Sequence, residues 1–301
     1  MASTTEDAVD EICASCGITA GDDISLKKCN ACKSVRYCSV NCQKEHRPQH
    51  KRDCKKRSAE LRDELLFKQP ESSHNGDCPI CLLPLPLDTD QCTISTCCSK
   101  VVCDGCKVAN ANREEEENLK RVCPFCRTPR PSTQAEFDRN KNRRMKANDP
   151  VAIREKGKRY YIEGDYGGAI EFWIKAAGKG DIESHYLLSD LYREGKGVQK
   201  DEKKQIYHLE EAAIGGHPGA RLILGRHEGI NGRIERAVKH FIIAANQGLD
   251  TAVKTLKDFY AAGVVSKEDF AAALRAYQAA VDATKSPQRD DADAFRARGI
   301  Y

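Results

Sequence analysis

Residues 13–54 read CASCGITAGDDISLKKCNACKSVRYCSVNCQKEHRPQHKRDC, with seven cysteines and two histidines. The candidate ligands pair as Cys13 and Cys16, Cys29 and Cys32, Cys38 and Cys42, then His50 and Cys54. Two CxxC pairs are followed by two pairs at i,i+4, a spacing that puts both side chains on one face of a helix, so each pair closes on an ion. Eight ligands make two tetrahedral zinc sites, and a site held by four protein donors is structural because it leaves no position for water or substrate.

The order and spacing of these eight resemble the MYND zinc finger. The resemblance implies interleaved ligation: Cys13, Cys16, Cys38 and Cys42 on one zinc, Cys29, Cys32, His50 and Cys54 on the other. Tyr37 before Cys38 and Gln43 after Cys42 fit the same family. The chain departs from it at Arg47 and Pro48, because the family usually carries Trp three residues before its histidine. That Trp belongs to the groove in which some MYND domains hold proline-containing peptides. His46 is a rival ligand one helical turn earlier, but only His50 keeps the family spacing, and a solvated His46 is expected.

The whole chain has 301 residues, 31% charged and 6% aromatic, and 16 cysteines. That composition argues for modest units rather than one large core. Residues 1–12 are acidic, with no basic start or apolar run, and no long apolar stretch occurs elsewhere. Reduced thiols used for metal, in an intracellular chain of cytoplasm or nucleus with no membrane contact, are the expected state. The formal net charge is +4. Fifteen zinc-bound thiolates and four zinc ions bring it to about −3, which removes basicity as an argument for nucleic acid. The basic clusters at 51–57 and at Arg139, Lys141, Arg143, Arg144 and Lys146 are expected to be solvated helix faces.

A second cluster begins at Cys78. CxxC pairs stand at Cys78 and Cys81, Cys103 and Cys106, and Cys123 and Cys126, with Cys92, Cys97 and Cys98 between. About 50 residues cannot build a stable core without such staples. This arrangement resembles a RING domain in all-cysteine form. Its cross-brace implies Cys78, Cys81, Cys103 and Cys106 on one zinc and Cys97, Cys98, Cys123 and Cys126 on the other. Cys92 is the alternative to Cys97, which is preferred because the odd cysteine then falls in the variable loop. RING domains that recruit a ubiquitin-conjugating enzyme place an apolar residue, a proline and a cation where this chain has Ile80, Pro124 and Arg127. Arg127 would then orient the thioester through hydrogen bonds. The helix after Cys106 offers only Val108 and Ala109 where such RINGs show a large apolar contact. Glu114 to Glu117 are expected on a solvated face.

After a basic helix expected over Gln134 to Lys146 comes a repeat. Ala-Ala pairs followed three residues later by Gly stand at Ala176, Ala177 and Gly180, at Ala212, Ala213 and Gly216, and at Ala244, Ala245 and Gly248. Upstream, Ala152, Ser184, Ala220 and Ala252 recur at steps of 32, 36 and 32 residues, with Gly157, Ser189 and Gly225 in the same register. Periods of this length, with two helical patterns per unit, mean a helix-turn-helix solenoid. The small residues let helices approach, and each glycine supplies the left-handed residue that stops the second helix. The units resemble Sel-one-like repeats, relatives of the tetratricopeptide repeat, most clearly over Leu188 to Tyr192 with Gly195, Gly197 and Val198.

The expected architecture is multidomain: two small zinc-stapled cross-brace modules followed by an α-solenoid of about four repeats. The divisions are a flexible start at 1–12, the finger at 13–57, a helical linker at 58–77, the RING-like module at 78–130, a basic linker at 131–148, repeats at 149–283 and a flexible tail at 284–301. The linker is expected to join two halves that fold independently. No phosphate loop stands out, and His185, His208, His217, His227 and His240 have no carboxylate or serine partner at a recognisable spacing. The expected function is a zinc-binding adaptor, holding about four Zn²⁺ and docking proteins or peptides. The alternative is a ubiquitin ligase whose repeats select substrate and whose RING-like module contacts a ubiquitin-conjugating enzyme. Nucleic acid is the weaker partner class.

Overall fold

The computed structural model describes residues 12–299. Residues 1–11, most of the expected flexible start, lie outside the described residues. The chain divides into two compact units, one ending at Lys68 and one beginning at Gln69.

In the first unit, β1 (Lys27–Lys28) pairs antiparallel with β2 (Arg36–Tyr37), and α1 follows over Val40–Leu66. Ser39 starts that helix, its side chain accepting from the Cys42 N–H. The buried core is Cys13, Leu26, Cys29, Cys32 and Tyr37, with Val35, Cys38, Cys42 and Cys54 packed against it. Most of these are cysteines, so the apolar area alone is too small to hold the unit together. The expected boundary at residue 57 falls inside α1, because finger and linker share one continuous helix.

The second unit opens with β3 (Cys92–Ile94) antiparallel to β4 (Val101–Cys103), followed by α2 (Asp104–Glu116) and α3 (Gln134–Lys146). Eight helices then form four hairpins: α4 (Pro150–Ile162) with α5 (Tyr166–Ala177), α6 (Ile182–Glu194) with α7 (Glu202–Ile214), α8 (Pro218–Ile230) with α9 (Ile234–Asn246), and α10 (Asp250–Ala261) with α11 (Lys267–Ala283). A last helix, α12, spans Pro287–Ala297.

Within the repeats, size complementarity sets the spacing between paired helices. A Cβ on Gly157 would lie 2.5 Å from the Trp173 ring, and one on Gly225 would lie 2.5 Å from Phe241. Trp173, Leu209 and Phe241 occupy equivalent positions and are all buried. Gly180, Gly216 and Gly248 have φ of +86, +87 and +87°, the left-handed conformation expected after α5, α7 and α9. Gly216 is doubly constrained, because a Cβ there would also stand 2.8 Å from the Ser72 carbonyl.

Three expectations fail in this unit. The tail is helical over 287–297, and its Arg289 and Ala292 are buried. Ser286 caps α12, Pro287 opens it, and Asp290, Asp291 and Asp293 face outward while Arg289 and Ala292 form an inner stripe. The basic linker is more than a spacer: Arg143 donates to the Cys97 carbonyl at 3.0 Å and Arg144 to Ser99 and Asp149. The zinc-module segment and the solenoid are therefore one unit rather than independent halves, since α12 packs on α2 and Arg296 pairs with Asp104 at 2.8 Å. Glu114, expected on a solvated face, is buried; it accepts from Asn110 at 2.7 Å and from the Val122 N–H at 2.9 Å.

Candidate metal centres

Four groups of four donors come together, each with its donor atoms within 4.8 Å of one another. They are Cys13, Cys16, Cys38 and Cys42; Cys29, Cys32, His50 and Cys54; Cys78, Cys81, Cys103 and Cys106; and Cys97, Cys98, Cys123 and Cys126. In each case one pair is interleaved with another along the chain.

Local backbone builds these pairs. In four of the CxxC turns the fifth residue donates its N–H to the first cysteine's carbonyl: Gly17 to Cys13, Lys33 to Cys29, Leu82 to Cys78 and Arg127 to Cys123. Each of these fifth residues has positive φ, between 58 and 74°. The turn therefore curls both sulfurs to one side and leaves the backbone N–H groups of the knuckle facing them. In α1 the i,i+4 pairs Cys38/Cys42 and His50/Cys54 complete the finger's two groups; Cys38 stands just ahead of that helix.

The donor separations fit zinc. Tetrahedral Zn–S bonds of about 2.3 Å place sulfurs about 3.8 Å apart. Cys16 and Cys38 stand at 3.5 Å, Cys29 and Cys54 at 3.8 Å, Cys81 and Cys103 at 3.8 Å, Cys78 and Cys106 at 3.9 Å, and Cys98 and Cys123 at 4.0 Å. His50 presents Nε2 to Cys32 Sγ at 3.2 Å.

Each group also holds a thiol whose pKa is lowered from its ordinary value. Burial raises Cys13, Cys29 and Cys126, but N–H groups of the knuckles, joined at Cys126 by the Thr128 hydroxyl, outweigh it and bring each to about 6. The Cys103 thiol, with backbone donors, brings Cys78 to about 4. The lowered thiol in each group favours the thiolate that receives a cation, and ligation would draw the protons from the rest.

The alternatives are placed as follows. His46 is not in a donor group: its Nδ1 bonds the Tyr37 hydroxyl at 3.1 Å and its ring stacks on His50. Cys92 lies in β3 opposite Cys103 and packs into the module's small core, in a strand rather than the expected variable loop. Ile80 is 40% exposed at the tip of its knuckle. Pro124 is half-buried, and the exposed Arg127 donates to Asn110 Oδ1 at 3.4 Å.

One cluster was missed in the sequence. Glu183 on α6 accepts from His217 Nε2 at 3.2 Å and lies 3.3 Å from His74 Nε2. The signal was available, because His217 stands in register with Asp149 and Asp181, which cap the preceding repeats. Of the other repeat histidines, His227 also meets a carboxylate, Glu202 at 3.1 Å. His208 lies 3.0 Å from His185 and is lowered to about 4 by burial, with His185 adding to the effect.

No curated protein matches this chain. A Sel1 repeat protein from Oxalobacter formigenes is 23% identical with a TM-score of 0.43, covering 60% of this chain and 72% of its own. A protective antigen of uropathogenic Escherichia coli strains, which displays an SLR fold, is 25% identical with a TM-score of 0.40, covering 54% of this chain and 36% of its own. The MYND finger family matches residues 13–54, the stretch that holds the first two groups, so this part of the chain is a MYND finger and binds zinc.

Proposed function

We propose that the chain is a zinc-organised protein-interaction scaffold that holds four zinc ions. The finger and the RING-like module dock partner proteins, and the solenoid's concave face holds a protein or peptide. The observation that carries this reading is the closure of all four donor groups. Each supplies four protein ligands, so zinc there stabilises a shape and has no open position for a substrate. Among the described residues no helix is long and apolar enough to cross a membrane. Affinity capture with the full chain, compared with a variant carrying charges at exposed solenoid positions such as Tyr207 and Tyr260, tests the reading. Loss of a defined set of partners without loss of helical signal supports it; an unchanged set contradicts it.

Ligase activity is the second reading, favoured by the exposure of Ile80 at its knuckle tip. Discharge of ubiquitin from a panel of charged conjugating enzymes separates the two. The scaffold reading expects no stimulation. A discharge signal that Ile80→Ala or Arg127→Ala removes, with zinc content intact, would replace it.

A further inference from the structure

His74, Glu183 and His217 come from three separate parts of the chain: the segment leading into the RING-like module, α6, and the start of α8. The His74 ring stacks on His217 with centroids 4.1 Å apart, and Tyr186 covers the other face of His217 at the same distance. Backbone contacts follow the side chains. The His74 N–H donates to the Gly216 carbonyl at 3.0 Å, and Gln247 Nε2 donates to that same carbonyl at 2.9 Å. Gly216 has no Cβ to obstruct the strap, which passes within 2.8 Å of where that atom would be.

The proton inventory of this cluster is fixed by its neighbours. His217 caps α8, with Nδ1 accepting from the Ala220 N–H at 3.1 Å. A backbone N–H can only donate, so Nδ1 is unprotonated and Nε2 carries the hydrogen directed at Glu183. Burial, the foremost cause, keeps His217 below its ordinary pKa; Glu183 opposes this by hydrogen bond and charge, while His74 adds to it. Glu183 is itself buried, which raises its pKa, yet the N–H groups of His217 and His74 hold it far below the carboxylate range. His74 Nδ1 is buried with no hydrogen-bond partner.

We infer that these three residues form an acid-released latch fastening residues 69–77 to the second and third repeats. A second proton on His217 would set an N–H against the Ala220 N–H and place a cation in the stack. Docking therefore excludes a second proton from His217, and it weakens as pH falls through the range in which the released His217 protonates. Glu183 acts in the same direction at lower pH, because its ionised form is the docked one. The other charged groups near the cluster act on it less directly: Asp190 and Arg193 bear on Tyr186, which is raised chiefly by burial. A metal ion is not the occupant, because the Nε2 lone pair it would need on His217 is taken by hydrogen.

Hydrogen exchange of the strap amides in the full zinc-loaded chain tests the latch. Protection factors for residues 72–76 should fall between pH 7.5 and 5.0, by up to about tenfold per pH unit, the limiting slope for each linked proton. His217→Asn keeps a good helix cap and cannot take the proton, so its strap should lose most of that pH response. The variant carries the same cysteine sites and so subtracts any acid loss of zinc. Strap protection that does not change with pH in the native chain would overturn the proposal, as would an equal response in His217→Asn. Added Zn²⁺ or Ni²⁺ that raises protection beyond the filled cysteine sites would overturn it in favour of a third kind of metal site.

Discussion

Removing the Arg289 side chain should release α12 from the RING-like module. Its guanidinium donates to the Pro84 carbonyl at 2.7 Å, the Thr284 carbonyl at 2.6 Å, the Leu83 carbonyl at 3.3 Å and Cys81 Sγ at 3.5 Å. Its backbone lies against Gly105, where a Cβ would stand 2.8 Å from the Arg289 nitrogen. Hydrogen bonds from a charged donor contribute about 1.5–3 kcal/mol each. Only two of these are short, and the buried charge costs desolvation, with Nε finding no partner. A net loss of about 3 kcal/mol follows for Arg289→Ala, equivalent to roughly a hundredfold rise in local opening of α12. Hydrogen exchange over residues 290–297 measures that opening, and zinc transfer from Cys81's group to a chromogenic chelator should quicken with it. Arg296→Ala, which removes a partly exposed pair with Asp104, should cost about 1 kcal/mol or less. Protection of α12 in Arg289→Ala within twofold of the native value would refute the clamp.

Two further outcomes follow from the packing and the ligand geometry. Gly157→Ala gains about 1 kcal/mol of helix propensity but drives a Cβ to 2.5 Å from the Trp173 ring, which costs about 1–3 kcal/mol. Thermal unfolding should show net destabilisation there and almost none for Gly178→Ala, whose nearest neighbour is 3.4 Å away. His50→Ala should cost the finger one zinc site by elemental analysis, while His46→Ala, which loses the Tyr37 hydrogen bond and the stacking on His50 but no donor atom, should keep full zinc content.

Donor groups and repeats were legible because their information is local or periodic. A CxxC turn curls its own sulfurs together, and the 32- and 36-residue steps place Gly157 against Trp173 and Gly225 against Phe241 without further guidance. Cys97 could be preferred over Cys92 by chain position, and the two are now distinguished by placement: one among Cys98, Cys123 and Cys126, the other in β3. What escaped depends on partners far apart in sequence. Arg289 reaches Cys81 from the other end of the second unit, and a run containing Asp290, Asp291 and Asp293 reads as a flexible tail because the inward-facing Arg289 and Ala292 are too few to mark a buried stripe in the sequence. Glu114 read as one of four exposed acids, yet the Val122 N–H that it satisfies lies beyond the end of its own helix. His217 escaped because the capping position it shares with Asp149 and Asp181 is filled by chemically different residues, so it leaves no repeated letter in the sequence.

Native mass spectrometry of the purified full chain tests the central claim most directly, by counting bound metal while the four donor groups remain intact. The account predicts four zinc ions per chain, with two lost when Cys78 and Cys97 are both replaced by Ser. A native count of two, unchanged by that double substitution, would contradict it and leave the MYND finger as the only zinc module.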